Sequence, residues 1–302
     1  MSVITTGNHP KALWPGIKAW WGRQYDEHSL ECQDLFDFDT STQSYEEDVE
    51  VTGFGLAPVK SESGSISFDS ETQGVINRAT HVAYALGYNV THEEMEDNLY
   101  EVVSKRRAQA NAFSMRQTKE NVAANVYNRA FDANFTFGDG VELLSTAHVT
   151  VNGTQSNELA IPADLSETSL EDLTIQIMQA TNSRGLKISL MPQSLHVHTS
   201  DWYEANRILK STLQNDTADN ALNILKSTNV FPKGIKINHY FTDSDAYFIR
   251  TNAPRGMLAY QREAISFDRD NDFVTKNVQA AAYERYSFSI GDWRGLYGSA
   301  GA

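Results

Sequence analysis

Residues 92–131 contain neither proline nor glycine, and no other feature constrains the fold of this 302-residue chain as strongly. Thr91-His-Glu-Glu94 at the start fits a capping box, the Thr91 hydroxyl accepting from the Glu94 amide and the Glu94 side chain reaching back to Thr91. Glu93, Glu94, Glu96 and Asp97 suit the positive end of a helix dipole. Apolar or small residues at Met95, Leu99, Val102, Ala110, Phe113, Ala124, Tyr127 and Phe131 recur mostly three or four apart, as one helix face requires. A helix over the whole stretch is about 60 Å long at 1.5 Å per residue. A compact globule of this chain length is only roughly 50 Å across. The helix therefore kinks, near Asn111 or Asn121, or it belongs to a flat, extended molecule.

Upstream the pattern is β. Glu47-Asp-Val-Glu-Val51 and Ser65-Ile-Ser-Phe68 alternate polar and apolar, and Ser61-Glu-Ser-Gly64 between them fits the tip of a long hairpin. Val82, Tyr84, Leu86, Tyr88 and Val90 place five apolar side chains on one face of a strand. Downstream, Thr168-Ser-Leu-Glu171 reads as a second capping box, opening a helix that ends near Gly185. Lys187–Leu190 predicts a short strand ending at Pro192, and Ser200 or Asp201 starts a helix carrying Trp202, Ala205, Ile208 and Leu209. Strands follow at 234–241, 246–249, about 257–268 and 275–290. With no βαβ rhythm and no internal repeat, the class is α+β.

Charge is unevenly spread. Residues 26–72 hold thirteen acids against one base, Lys60, which is −12 of the chain's net −14. That balance argues against sequence-independent nucleic-acid binding, which needs lysines and arginines on the phosphates. It also asks for positive charge from elsewhere, and Lys105, Arg106, Arg107, Arg116 and Lys119 on the long helix offer it. The first forty residues add Trp14, Trp20, Trp21, Tyr25, Phe36 and Phe38. So many aromatics in an irregular segment point to docking, on the chain's own core or on a neighbour.

The search for catalytic chemistry is negative. Gly53-Phe-Gly55 and Gly138-Asp-Gly140 complete no phosphate-cradling motif, and no G-x-S-x-G elbow occurs. A single cysteine, Cys32, in acidic surroundings makes a poor nucleophile and excludes an internal disulfide. His196-Val-His198 shares a strand face and, with His239, is the best metal candidate, though a third ligand is unspecified. Asp268, Asp270 and Asp272 alternate but lack the glycine and distal glutamate of a calcium loop. No catalytic residue, cofactor or metal site is assigned. With no apolar run long enough to span a bilayer and no signal-peptide pattern at Met1, the chain reads as cytoplasmic, without a membrane partner.

Several stretches resemble the major capsid proteins of tailed bacteriophages, of the Mu-like type. Asp139-Gly-Val-Glu-Leu-Leu-Ser-Thr-Ala-His148 with Asn157 resembles that family's segment after its long helix. Gly87–Thr91 resembles the approach to the helix, and Leu190-Met-Pro192 with Trp202–Leu209 a later strand and helix. Phe267-Asp-Arg-Asp and the final Asp292-Trp-Arg-Gly-Leu-Tyr-Gly298 resemble its closing strands. The order covers roughly residues 45–298.

The resemblance implies the HK97 fold, with 1–44 as N-terminal arm and 45–90 as an extended E-loop hairpin with its return strand. It implies a P-domain over 91–199 with its spine helix, joined by about 261–290, and an A-domain over 200–260, joined by about 291–302. The implied function is a non-enzymatic shell subunit that assembles with itself, as hexamers and pentamers, into an icosahedral head enclosing DNA without sequence-specific binding. A separate scaffolding protein, a portal and a decoration protein are the implied partners. The location is the virion capsid, after synthesis in the host's bacterial cytoplasm. An encapsulin-like compartment is the alternative, and a soluble α+β metalloenzyme using His196 and His198 a third. The expected inter-subunit contacts are Phe54, Leu56, Val59, Ile66 and Phe68 on the hairpin, Trp20 and Trp21 in the arm, and Arg106, Arg107 and Arg116 on the helix.

Overall fold

The computed structural model describes residues 14–26, 30–96, 100–213, 222–272 and 274–302. Its longest helix, α4, runs from Tyr100 to Asn128. These 29 residues span about 43 Å at 1.5 Å each. Neither Asn111 nor Asn121 interrupts it; the helix is shorter than the unbroken 92–131 run, so it fits within a compact molecule and neither a kink nor an extended shape is required. The buried stripe is Ala108, Ala112, Met115, Ala123, Ala124 and Tyr127. Ala110 and Phe113, expected on the inner face, point outward, and Phe113 is 54% exposed. Alanines win the inner face because they let a sheet and a second helix approach the α4 backbone closely.

In chain order the elements before it are α1 (Trp14–Tyr25), α2 (Cys32–Leu35), β1 (Asp37–Thr40), β2 (Tyr45–Val51), β3 (Gln73–Thr80), β4 (Val82–Val90) and α3 (His92–Glu96). Residues 97–99, between α3 and α4, lie outside the described residues. After α4 come β5 (His148–Thr150), β6 (Gly153–Gln155), α5 (Glu167–Gln179), β7 (Pro192–His198), α6 (Trp202–Lys210), α7 (Ile224–Ser227), β8 (Ile235–Asn238), β9 (Tyr247–Thr251), β10 (Met257–Asn271), β11 (Val278–Ile290) and β12 (Leu296–Ser299).

Two four-stranded sheets carry the molecule, in the orders β1-β10-β11-β4 and β12-β9-β7-β8. The first lies against α4, with Trp21 of α1 joining Ala108, Ala112, Met115, Phe267, Ala280 and Ala282 in one core. The second packs with α5 and α6 around Leu170, Leu173, Ile177, Leu195, Val197, Ala205 and Ile208. A third core, built on Tyr127, Phe36, Leu144, Phe248 and Trp293, lies between them. β7 pairs with both β8 and β9, so the expected boundary at 199–200 runs through a sheet.

Local details depart from the sequence reading where a competing partner is present. Thr91 does cap the Glu94 amide at 3.3 Å, but the Glu94 carboxylate turns to Arg107 at 2.9 Å. The second capping box is Ser166 with Ser169, so α5 starts at Glu167 and ends at Gln179, not near Gly185. Lys187–Leu190 forms only an isolated bridge to Thr181, and the strand begins at Pro192, where a missing N–H costs least.

Candidate assembly surfaces

β2 and β3 pair antiparallel from Tyr45↔Thr80 to Val51↔Gln73 and carry a loop without regular structure between them. Ser63, at φ 61°, turns its tip, and the Gly64 amide bonds the Ser61 carbonyl at 3.0 Å. Ser65–Phe68 belongs to no strand, contrary to its alternating pattern. The expected contact residues of this loop face solvent: Leu56 is 83%, Val59 100% and Phe68 92% exposed, with Phe54 and Ile66 over half exposed. The root of the hairpin is tied down. Asp48 accepts from Arg255 and, at 3.1 Å, from the Tyr260 hydroxyl, Glu50 accepts from Ser183, and Arg184 reaches the Ser70 carbonyl.

The arm sits on its own subunit. Trp21 is 4% exposed and donates through Nε1 to Asn111 Oδ1 at 2.9 Å. Its ring stacks on Tyr25 and Phe267, with centroids 5.4 and 5.1 Å away. It is therefore closed to a neighbour as the subunit stands, and the Trp20 side chain lies outside the described residues. Glu120 accepts from the Glu31 and Cys32 amides at 2.8 and 2.9 Å, clamping α2 to α4. Burial and then the Glu120 carboxylate push the Cys32 thiol up to about 12.

The basic residues of α4 divide. Arg106 is exposed. Arg107 holds Glu94 of its own chain, and Arg116 is buried and donates to the Tyr25 carbonyl at 3.3 Å. Lys119 is also buried, in an ion pair with Glu284. Arg116 and Lys119 thus serve the subunit interior, because their side chains lie on the stripe that meets α1, β10 and β11. The acidic segment finds its counter-charges elsewhere in the same chain: Asp34 with Lys236, Asp37 with Arg250, Glu47 with Arg78, Asp48 with Arg255, Glu50 with Arg294 and Asp69 with Arg184. Six of the thirteen acids of the segment are thus paired with a lysine or arginine within the subunit, none of them on α4.

The three histidines offered as a metal site each have their own engagement. His196 is fully buried, contacts Ser194 Oγ at 2.8 Å, and has its proton affinity lowered to a pKa of about 3 by burial. His198 Nδ1 meets Ser200 Oγ at 2.8 Å and His239 Nδ1 meets Glu31 Oε1 at 2.6 Å. Among the described residues no group of three or more His, Cys, Asp or Glu is placed to hold a metal ion.

The polar residues that carried the resemblance instead converge on one buried knot. His148 Nδ1 meets Asp139 Oδ2 at 2.6 Å, and its Nε2 lies 3.1 Å from Asn157 Oδ1. Asn157 accepts the Ser145 amide at 2.9 Å. It donates to the carbonyls of Leu143, Leu296 and Trp293 at 2.8, 3.0 and 3.2 Å. Arg294 stacks over Trp293 and donates to the Thr181 carbonyl and Gln155. A Cβ on Gly295 would stand 2.5 Å from the Gly256 Cα, so the turn admits only glycine there. The knot joins the segment after α4 to the last strand, with His148 and Asn157 fully buried at its centre.

No curated protein matches the chain. Among solved structures, the virus-like particle from Pyrococcus furiosus is similar over 94% of this chain and 98% of its own, at 11% identity and a TM-score of 0.53. The capsid of the native GTA particle is similar over 90% of each chain, at 10% identity and a TM-score of 0.56. The capsid of Myoviridae phage XM1 is similar over 91% of this chain and 92% of its own, at 10% identity and a TM-score of 0.52. At such identities the likeness establishes the fold, which is the α+β HK97-like fold of capsid subunits. A family model described as phage capsid protein matches residues 77–299, a span that takes in α4, the buried knot and both closing strands. The chain therefore belongs to the phage capsid protein family, as a major capsid protein that forms the shell.

Proposed function

We propose that the chain is the repeating subunit of an icosahedral head of the Mu-like type, assembled as hexamers and pentamers around DNA that it contacts without sequence preference. Residues 1–44 act as the arm and 45–90 as the E-loop with its return strand. Residues 91–199 with 261–290 act as the P-domain and 200–260 with 291–302 as the A-domain, β7 joining the A-domain sheet by its pairing. Portal, scaffolding and decoration proteins are the partners such a head takes, and the bacterial cytoplasm is where the subunit is made.

The observation that carries this reading is the exposed hairpin. A two-stranded ribbon is marginal alone in water, and this one extends beyond its ladder with Phe54, Leu56, Val59, Ile66 and Phe68 bare. The hairpin lies across an adjacent subunit, where those side chains are covered. Electron microscopy of the expressed protein tests this: the parent forms closed shells, and a variant lacking 52–68 stays folded and soluble without closing. Normal shells from that deletion would refute the assignment. Shells carrying DNA distinguish a phage head from an encapsulin-like compartment.

A further inference from the structure

His81 is the one residue between β3 and β4, and those strands belong to different sheets: β3 pairs with β2 in the hairpin ribbon, β4 with β11 in the body. The chain changes sheet at this single position, and the side chain there turns inward. It is 4% exposed and meets the Tyr260 ring of β10 edge to face, with centroids 6.1 Å apart. Its Nε2 lies 3.0 Å from Ser41 Oγ, one residue past β1, and its Nδ1 2.9 Å from Ser287 Oγ on β11. Its amide donates to the Ser44 carbonyl, just ahead of β2, at 3.3 Å. One residue thus ties both limbs of the ribbon to the body sheet.

The neighbours fix where the protons sit. Ser41 Oγ donates to Glu46 Oε1 at 2.6 Å and accepts the Gln43 amide at 3.1 Å, so toward His81 it can only accept. The ring proton is therefore on Nε2, and Nδ1 is left to accept from the Ser287 hydroxyl. A second ring proton has no good place: it would point at that hydroxyl, force its proton to turn away, and leave a cation sealed among Ser41, Tyr260 and Ser287, all buried. The charges facing the ring are the Glu46 carboxylate from β2 and the guanidiniums of Arg285 on β11 and Arg262 on β10, and Arg285 Nε donates to the His81 carbonyl at 3.4 Å. Behind Tyr260 stand Asp48 and Arg255, which bond its hydroxyl at 3.1 and 3.0 Å. Burial first, with Arg285 and Arg262 adding to it, lowers the proton affinity of the imidazole below the ordinary histidine value, and Glu46 opposes them only in part.

We propose that His81 is a pH-sensitive clasp at the joint between ribbon and body: the neutral ring closes the joint, and acid favours an opened joint in which the ring is hydrated and charged. The closed joint binds the proton more weakly than the open one. Its advantage is therefore complete above the ordinary histidine value of about 6.5 and declines as the pH falls below it. The ties further out on the ribbon, Asn77 to Ser289 and to the Ile290 carbonyl and Asp48 to Arg255, contain no histidine, so near neutrality opening of the joint titrates through His81. The clasp is a property of the single subunit and stands whether or not the hairpin docks on a neighbour.

Amide hydrogen exchange of the full, unassembled chain tests it. Protection factors of the His81 amide and of the β2–β3 ladder amides nearest it are compared at about pH 7.5 and about pH 5.5, either side of the ordinary histidine value. In the parent chain protection at the joint falls about fivefold to tenfold over that interval, the factor supplied by one histidine of ordinary affinity when open and weakened affinity when closed. His81→Gln offers the same serines a donor and an acceptor and does not titrate, so in it those amides keep their protection across the interval. If the parent shows no fall, or the variant shows the same fall, the proposal is overturned. Where the variant does not fold, the His81 ring-proton resonance of the parent decides. A titration midpoint below about 6.5 supports the clasp, and one at or above that value overturns it.

Discussion

The imidazole of His148 lies flat on the indole of Trp293, with ring centroids 4.3 Å apart and planes 2° from parallel. The two residues are far apart in the chain, and between them Asn157 ties three carbonyls of two segments together. Replacing Asn157 with alanine leaves the buried carbonyls of Leu143, Trp293 and Leu296 short of a donor. The expected loss is about 2–4 kcal/mol of subunit stability, from desolvated acceptors at roughly 1–3 kcal/mol each with partial relaxation. Urea unfolding of the unassembled subunit measures it, and a change below 1 kcal/mol would contradict a structural role for the knot.

Trp21→Ala should release the arm while leaving the body folded. Removing a buried tryptophan costs about 3–5 kcal/mol, here charged to the docking of α1 on α4. Tryptic cleavage at Lys18 or Arg23 should then rise roughly a hundredfold to a few thousandfold at about 1.4 kcal/mol per decade. Unchanged cleavage would mean that Tyr25 and the Glu120 clamp suffice to hold the arm.

Reversing charge along α4 should separate its two kinds of arginine. Arg106→Glu, at an exposed site, should shift subunit stability by no more than about 0.5 kcal/mol. Arg116→Glu places a carboxylate in the buried seam beside the Tyr25 carbonyl and should cost roughly 3–5 kcal/mol. Circular-dichroism melts distinguish them. Equal effects would show that the seam opens to water.

Assembly should depend only weakly on salt. The Debye length falls from about 10 Å at 0.1 M to about 3 Å at 1 M, which screens charge pairs between subunits. The acids at Asp34, Asp37, Glu47, Asp48, Glu50 and Asp69 already have partners in their own chain. Light scattering across that range should show shell yield nearly constant. A collapse of yield at high salt would place decisive ion pairs between subunits.

Acid should destabilise the subunit through His196. Its folded pKa of about 3, lowered first by burial and then by Arg250, lies below the ordinary histidine value of 6.5. The native state therefore binds fewer protons than the unfolded state between those limits. The stabilisation is complete above pH 6.5 and is lost progressively as pH falls toward 3. At pH 5 the loss is about 2 kcal/mol, at 1.36 kcal/mol per pH unit. His196→Gln should flatten that part of the pH profile in chemical denaturation, and an unchanged slope would assign the acid sensitivity to other groups.

The long helix, the first strand and tip of the hairpin, and the paired closing strands were legible because each depends on local signals: an uninterrupted run, alternation, a Ser-Gly turn; the returning strand was not, because alternation at 65–68 outweighed the segment 73–80 that in fact pairs with β2. The inward face of α4 was not, because an alanine stripe competes poorly with Phe113 in any hydrophobicity pattern, and only close sheet packing makes small residues the better core. The roles of Arg116 and Lys119 were hidden for a similar reason. A charge reads as surface until Glu284, far along the chain, is seen to meet it. Asp139, His148 and Asn157 stood out by resemblance, but nothing in their spacing says that Trp293 closes over them.

The intramolecular matching of the acidic segment has a consequence for tiling. Identical subunits in a large closed surface meet neighbours at differing angles, at five-fold corners and on flatter facets. An ion pair shared across such a seam would be stretched at one position and compressed at another. Keeping Asp37 with Arg250 and Asp48 with Arg255 inside each subunit makes that part of the acidic segment's electrostatic balance indifferent to position. On the proposed docking of the hairpin, what varies from place to place is left to apolar contacts, which tolerate a change of angle better than a fixed pair of charges does.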